Sequence, residues 1–243
     1  MICHEYQCLF VHIPKTAGQS VEQFFIDLLN LSWEERSDLL LRKNFEPSQG
    51  PPRLAHLTAQ EYINYKYINY DLFKSYYKFS FVRNPWSRIV SEYRYRYANL
   101  YDFKTFVLKE LPQSNSDCYQ KSLDRYRHIL PQYNFLFDSE GKQLVDFIGK
   151  FENLQRDFEL VCKQLGISPN ELPYRNKTLE RSKKLNATNF REKTKLFFSK
   201  ITSSLKLTCL HKNYAWYYDE ETKDFVAHLY KKDINYFKYQ FGE

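Results

Sequence analysis

The run Phe10-Val11-His12-Ile13-Pro14-Lys15-Thr16-Ala17-Gly18-Gln19-Ser20 puts a short apolar stretch directly before a proline, a lysine, two hydroxyl side chains and a glycine. Pro14 ends the strand that Tyr6–Ile13 predicts. Val21, Phe24, Phe25, Leu28 and Leu29 then follow the i, i+3, i+4, i+7, i+8 spacing of an amphipathic helix. A helix that starts straight after a strand turns its first N–H groups and its positive dipole end toward the space above the sheet. Lys15 adds a full charge there, Gly18 allows close approach of a ligand to the backbone, and Thr16 and Ser20 add hydroxyls. The chemistry this predicts is the binding of a phosphate-like anion by Lys15, Thr16, Ala17, Gly18, Gln19 and Ser20.

A second strand–helix turn carries a second cation. Tyr76–Arg83 alternates as a strand, Asn84-Pro85 stops it, and Pro85 suits the first turn of a helix because its missing N–H costs nothing there. Trp86, Ile89, Val90, Tyr93 and Tyr97 mark the buried face of that helix. Arg83 can hold a phosphate-like group through paired N–H bonds, and Ser91, eight residues on, can reach another oxygen.

These two stretches together resemble the sulfotransferases that use 3′-phosphoadenylyl sulfate (PAPS). His-Ile-Pro-Lys-Thr-Ala-Gly-Gln-Ser is similar to their 5′-phosphosulfate loop, in the version found in the carbohydrate branch, which includes heparan 2-O- and chondroitin-type enzymes and bacterial relatives. Phe81–Tyr93 resembles their 3′-phosphate motif, with Arg83 and Ser91 at the matching positions. Weaker likeness covers Ala55-His56-Leu57-Thr58-Ala59, the segment Ile148–Leu154 (with Lys150 where an arginine is usual), and Tyr217–Thr222 and Tyr230–Asp233 near the end. The resemblance implies a P-loop-like central parallel sheet flanked by helices. It also implies transfer of a sulfuryl group from PAPS to an acceptor hydroxyl, leaving adenosine 3′,5′-bisphosphate. The expected acceptor is a carbohydrate, with a small metabolite or glycolipid alcohol as the alternative.

On that reading catalysis is positioning plus electrostatics, as in phosphoryl transfer. Lys15 is the group expected to stabilise the departing oxygen, and no metal ligand set is required. His56 is the expected base for the acceptor hydroxyl, since a neutral imidazole takes a proton near pH 7. His12 is expected to support the loop, His128 to belong to the acceptor side, and Glu152 to orient backbone or a basic partner.

The remaining elements must hold these groups. Three prolines and a glycine make 44–53 a loop, a short helix follows Thr58, and Asp102–Leu111 looks helical. Tyr133–Phe137, a turn at 138–141 and Leu144–Phe151 read as strand, turn, strand. Leu154, Phe158, Val161, Cys162 and Leu165 mark a helix capped by Gly166, and 219–239 one or two closing helices. Strand–loop–helix units in series predict an α/β protein, here one domain over 1–243.

Composition bounds the alternatives. The 243 residues carry a net charge of +7, yet eleven basic and two acidic residues between Arg175 and Lys212 give that segment +9 and leave −2 for the rest. One basic segment on a nearly neutral body predicts a single anion-facing surface rather than a nucleic-acid coat. No apolar run reaches 18 residues, which argues against a membrane-spanning helix. The first residues lack a signal peptide's pattern, and five cysteines without a CxxC pair argue against a disulfide framework; together these predict a cytoplasmic protein. A Walker A phosphotransferase is disfavoured because the lysine precedes the glycine. A nucleic-acid-binding or non-catalytic nucleotide module is the other rival. Tyr93-Arg94-Tyr95-Arg96-Tyr97 could supply stacking for it, but on a helix these residues spread around the barrel.

Overall fold

The computed structural model describes residues 1–120, 124–168 and 214–243. The basic segment 175–212 singled out above lies outside the described residues.

Four strands form one sheet in the order β1 (Ile2–Cys3), β2 (Cys8–Val11), β3 (Tyr77–Val82), β4 (Phe147–Lys150). The last three run parallel, with Phe10 opposite Phe79 and Phe81 opposite Gly149. β1 turns back on β2 antiparallel, with Cys3 opposite Cys8. The sheet is therefore mixed rather than wholly parallel. Residues 4–7 form a tight turn, and a four-residue link can only return a strand antiparallel to its neighbour.

Alternation along the strands assigns the two faces. Cys8 and Phe10 of β2 and Phe79 and Phe81 of β3 pack with Val21, Phe24 and Phe25 of α1 (Gly18–Leu28) and with Phe158 and Val161 of a helix over Leu154–Gln164. Leu9 and Val11 of β2 and Val82 of β3 point the other way. They meet Tyr62 of α2 (Ala59–Asn64), Phe73 of α3 (Tyr70–Ser75) and Phe135. Helices thus cover both faces. Fully buried Phe10, Phe79 and Phe81 each contribute roughly 2–3 kcal/mol by leaving water.

A third apolar cluster gathers around α4 (Pro85–Glu92) and the π-helical turn Tyr93–Tyr97 that continues it. It takes in α5 (Phe103–Thr105), a second π segment at Phe106–Glu110 and α6 (Leu111–Gln113), together with Tyr214, Val226 and Tyr230 from the C-terminal stretch. Then come α7 (Arg125–Ile129), α8 (Tyr133–Leu136), α9 (Leu154–Gln164), α10 (Glu220–Leu229) and α11 (Lys231–Phe237). Among the described residues no helix is long and apolar enough to cross a membrane.

Local chemistry explains most boundaries. Thr58 and Glu61 form a reciprocal capping box at α2, Asn69 caps α3, Asn84 caps α4 with Pro85 in its first turn, and Asp219 and Thr222 box α10. The expected strand at Tyr133–Phe137 is instead α8. The carboxylate of Asp233, a hundred residues away in sequence, accepts from the N–H groups of Gln132 and Tyr133 at 2.9 and 2.8 Å and caps that turn from outside. A cap supplied by a distant residue leaves no local pattern. The expected strand at Leu144–Phe151 shrinks to β4, and only a single bridge, Phe137 to Gln143, remains of the predicted pair.

Candidate active site

β2 and β3 lie side by side, and each ends in a turn that feeds a helix, so both cations sit above the carboxyl ends of adjacent parallel strands. In the first turn Lys15 and Ala17 both take left-handed conformations, with φ of 72° and 68°. Such residues cost on the order of 1–3 kcal/mol each and persist only where the surroundings enforce them. Thr16 lies between them and anchors the turn, its hydroxyl donating to the Ile13 carbonyl at 2.8 Å. Left-handed residues this close together curl the backbone, the kind of turn from which an anion nest can be built. Ala17, at the N-cap of α1, has no side-chain oxygen to cap the helix, in contrast to the N-cap residues of α2, α3, α4 and α10. Gly18 opens the helix hard against His12. A Cβ at this position would lie 2.0 Å from the imidazole, so only glycine fits. His12 is fixed in turn by Glu22, 2.5 Å from its Nδ1. Gln19 is exposed and Ser20 buried, its N–H donating to the Ala17 carbonyl.

The second turn delivers Arg83, which is 5% exposed. Its Nη1 donates to the Lys15 carbonyl at 3.2 Å, so the two predicted anion-binding turns touch. Nε and Nη2 donate to Ser87 Oγ at 3.0 and 2.8 Å, and the guanidinium lies 4.1 Å from the Phe151 ring centroid. Gln132 clamps the Arg83 backbone: its side-chain oxygen accepts from the Arg83 N–H, and its amide donates to the Arg83 carbonyl, both at 2.8 Å. Glu152 accepts from the N–H of Asn84 at 2.9 Å, the backbone-orienting role expected of it. Ser91 is half-buried on α4, one turn beyond Ser87, and Ser87 occupies the position against Arg83.

Next to the loop stands a file of three histidines, each paired with a carboxylate. His56 is bonded through Nδ1 to Asp124, with both groups buried. Its ring meets His12 edge-on at 4.8 Å between centroids and His128 edge-on at 5.3 Å. His128 donates from Nδ1 to Glu92 at 2.7 Å, and its Nε2 accepts from Arg96 at 3.1 Å. Arg96 Nε also lies 3.0 Å from the second Glu92 oxygen, close enough to pair as charges without the alignment of a hydrogen bond.

Protonation follows from these contacts. Burial holds His56 below its usual pKa against the pull of Asp124, and lowers His128 to about 4. Burial alone would raise Asp124 and Glu92, but the neighbouring histidines and arginines outweigh it, and Glu92 falls to about 2. Neutral imidazoles therefore face ionised carboxylates. An ionised carboxylate can only accept, so each Nδ1 carries the proton. His128 then has both nitrogens engaged, whereas His56 keeps Nε2 as a lone-pair site. Lys15 is pushed down to about 8 by burial, with Arg83, Arg96 and Arg88 adding to the shift and Glu92 opposing it.

Donor atoms of His56, Asp124 and His128 lie within 4.8 Å of one another, a grouping that the sequence, with these residues far apart, does not reveal. The chemistry disfavours a cation there. The two Nδ1 positions already serve carboxylates, His128 Nε2 faces a guanidinium, and Lys15 adds a further positive charge.

Lys15, Thr16, Ala17, Gly18 and Arg83 thus come together as expected, and His56 lies beside them through His12. Sequence reasoning missed Asp124, Glu92, Gln132 and above all Arg88. Fully buried Arg88 donates to three carbonyls, those of Pro14 at 3.0 Å, Leu130 at 2.9 Å and His128 at 2.9 Å. The Arg88, Glu92, Arg96 spacing, two steps of four along one helix face, is the one local signal that could have flagged part of this network.

Comparison with known proteins gives a consistent picture. An uncharacterized protein of Archaeoglobus fulgidus is 37% identical over 107 residues, covering 44% of this chain and 81% of that protein. Carbohydrate sulfotransferase 11 of Rattus norvegicus and that of Mus musculus are each 24% identical over 197 residues. The match covers 69% of this chain and 53% of theirs, so the chain spans about half the length of those enzymes. No solved structure matches. The model of the sulfotransferase family matches residues 1–240, nearly the whole chain and both strand–helix turns, and the protein belongs to that family.

Proposed function

We propose that residues 1–243 act as one PAPS-dependent O-sulfotransferase domain with a P-loop-like core, and that the acceptor is a carbohydrate hydroxyl. The observation that carries this is the Arg83–Lys15 contact, which brings the two anion-binding turns together at adjacent strand ends beside a His–Asp pair. The donor set fits a ligand with two separated anionic groups. Lys15 and the start of α1 serve one, Arg83 serves the other, and the carboxylates of Glu22, Glu92 and Asp124 are each already paired with histidine. Likeness to carbohydrate sulfotransferase 11 supports the acceptor class, and the odd set of cysteines favours a cytoplasmic setting.

When bound, PAPS supplies the sulfuryl group and leaves as adenosine 3′,5′-bisphosphate. Lys15 sets its ammonium against the oxygen that gains charge, assisted by backbone N–H groups of the nest, a stabilisation aimed at the transition state. Arg83, held by Gln132 and Ser87, binds the 3′-phosphate. His56 Nε2 takes the proton of the acceptor hydroxyl. Asp124 fixes the tautomer that makes this possible and stabilises the imidazolium that results.

The test is calorimetric titration with adenosine 3′,5′-bisphosphate beside AMP, ATP with magnesium and a short oligonucleotide, followed by labelled PAPS with a panel of glycans and small alcohols. Tight binding that requires the 3′-phosphate, and label transfer to a glycan, is the expected result. Preference for ATP or for the oligonucleotide overturns the proposal, and transfer only to small alcohols moves the acceptor class.

A further inference from the structure

The stretch Tyr93-Arg94-Tyr95-Arg96-Tyr97 has no part in the function proposed so far. It forms a π-helical turn after α4, a rare geometry often associated with functional sites. Tyr93 and Tyr97 are buried in the aromatic cluster around α4, whereas the Tyr95 ring is 42% exposed and faces the loop. The Lys15 ammonium lies 4.0 Å from the Tyr95 ring centroid. The same ring lies parallel to His128, 8° between planes and 6.3 Å between centroids, and the Arg96 guanidinium lies 5.6 Å from it. Among the described residues no carboxylate or carbonyl accepts a hydrogen bond from Lys15 Nζ, so the aromatic face is its direct partner.

We propose that Tyr95 is a positioning residue for Lys15, its ring face holding the ammonium over the loop while leaving the charge unneutralised. A salt bridge at this point would hold the lysine but cancel the charge that the reaction uses. An aromatic face attracts the cation through its quadrupole and keeps it cationic. The inference rests on the catalytic role given to Lys15 above, but the contact itself can be tested without it.

Other groups set the background against which the ring acts. Glu92 and Arg88 come from α4, Arg96 from the π turn and Arg83 from the end of β3, while His128 of α7 stacks on the ring itself. The experiment is an NMR titration of the chain labelled with 13Cε-lysine, the Lys15 signal being assigned by its loss in Lys15→Arg. In Tyr95→Leu, which keeps the site apolar but removes the quadrupole, Lys15 titrates about half a pH unit lower. Tyr95→Phe restores the original titration, and Tyr95→Trp raises it. With PAPS as donor, the alkaline limb of the rate profile follows the same order, and Tyr95→Leu lowers kcat about threefold with little change in KM for PAPS. Identical Lys15 titration in the Leu, Phe and Trp variants overturns the proposal, as does a loss in Tyr95→Phe equal to that in Tyr95→Leu, which would assign the effect to the hydroxyl. If the wild-type chain shows no turnover with PAPS, the functional reading fails while the NMR series still decides the role of the ring.

Discussion

The loop side of the site and the histidine side are built in opposite ways. The loop is mostly backbone: a left-handed Lys15, a left-handed Ala17 at the N-cap of α1 and a glycine pressed on an imidazole, all within a few consecutive residues. The histidine side is made of side chains brought from separate parts of the chain, with His56 meeting Asp124 across 68 positions and His128 meeting Glu92 across 36. A backbone-built site depends on local conformation, whereas a side-chain-built site depends on the whole fold holding its register. The first should therefore tolerate changes around it better than the second, and the two should fail differently.

Lys15→Ala breaks the loop side at its charge and carries the largest expected effect. Turnover falls roughly 10³-fold, the scale for losing one preorganised electrostatic group, while affinity for adenosine 3′,5′-bisphosphate falls much less. Equal losses in single-turnover rate and in calorimetric affinity would remove the distinction. On the histidine side His56→Gln lowers turnover roughly 10²-fold, and Asp124→Asn approaches it because an amide can present the wrong partner to Nδ1. A measured rate for Asp124→Asn near that of wild type would show that the pair is structural. Arg83→Ala weakens binding of the 3′-phosphorylated nucleotide about 30-fold, the scale of a charge-assisted bond, and leaves the 3′-dephospho form nearly unaffected. Unchanged discrimination between the two in calorimetry would detach Arg83 from the 3′-phosphate.

The smallest effect sharpens the comparison through pH. His128 has its folded pKa lowered from 6.5 to about 4 by burial, so the unfolded chain binds the extra proton first as pH falls. Its contribution is intact above the unfolded value and is lost as pH drops from about 6.5 toward 4. Stability at pH 5 is thus lower than at pH 7 by between about 1 and 2 kcal/mol. Urea unfolding at the two pH values checks this, and His128→Gln should shrink the difference to the share left by His56, which burial also holds below its usual pKa. Glu92, lowered to about 2, gives way in a separate window below about 4.5.

The same contrast explains what the sequence made legible. Strand, turn and helix at 10–29 and 76–97 could be read because periodicity, proline and glycine are local signals. Lys15, Gly18 and Arg83 were found with them, and His56 was found as a titratable group beside a family-like stretch. Asp124 was not, because nothing near position 124 announces that it will meet position 56. The Ser87–Arg83 bond was not legible because Ser87 and Ser91 lie on one face of α4, and only the direction taken by the Arg83 side chain shows which of them it meets. The helix α8 was mistaken for a strand because its cap, Asp233, arrives from the other end of the chain.

Arg88 reaches Pro14, His128 and Leu130 through their carbonyls, which every residue type except a chain break would supply. The identities of side chains in those segments are thereby uncoupled from the joint, but their spacing is not. The joint is thus fixed in length rather than in composition: inserting or deleting one residue between Asp124 and Leu130 would pull two of the three carbonyls off the guanidinium and carry the fault across to the lysine loop.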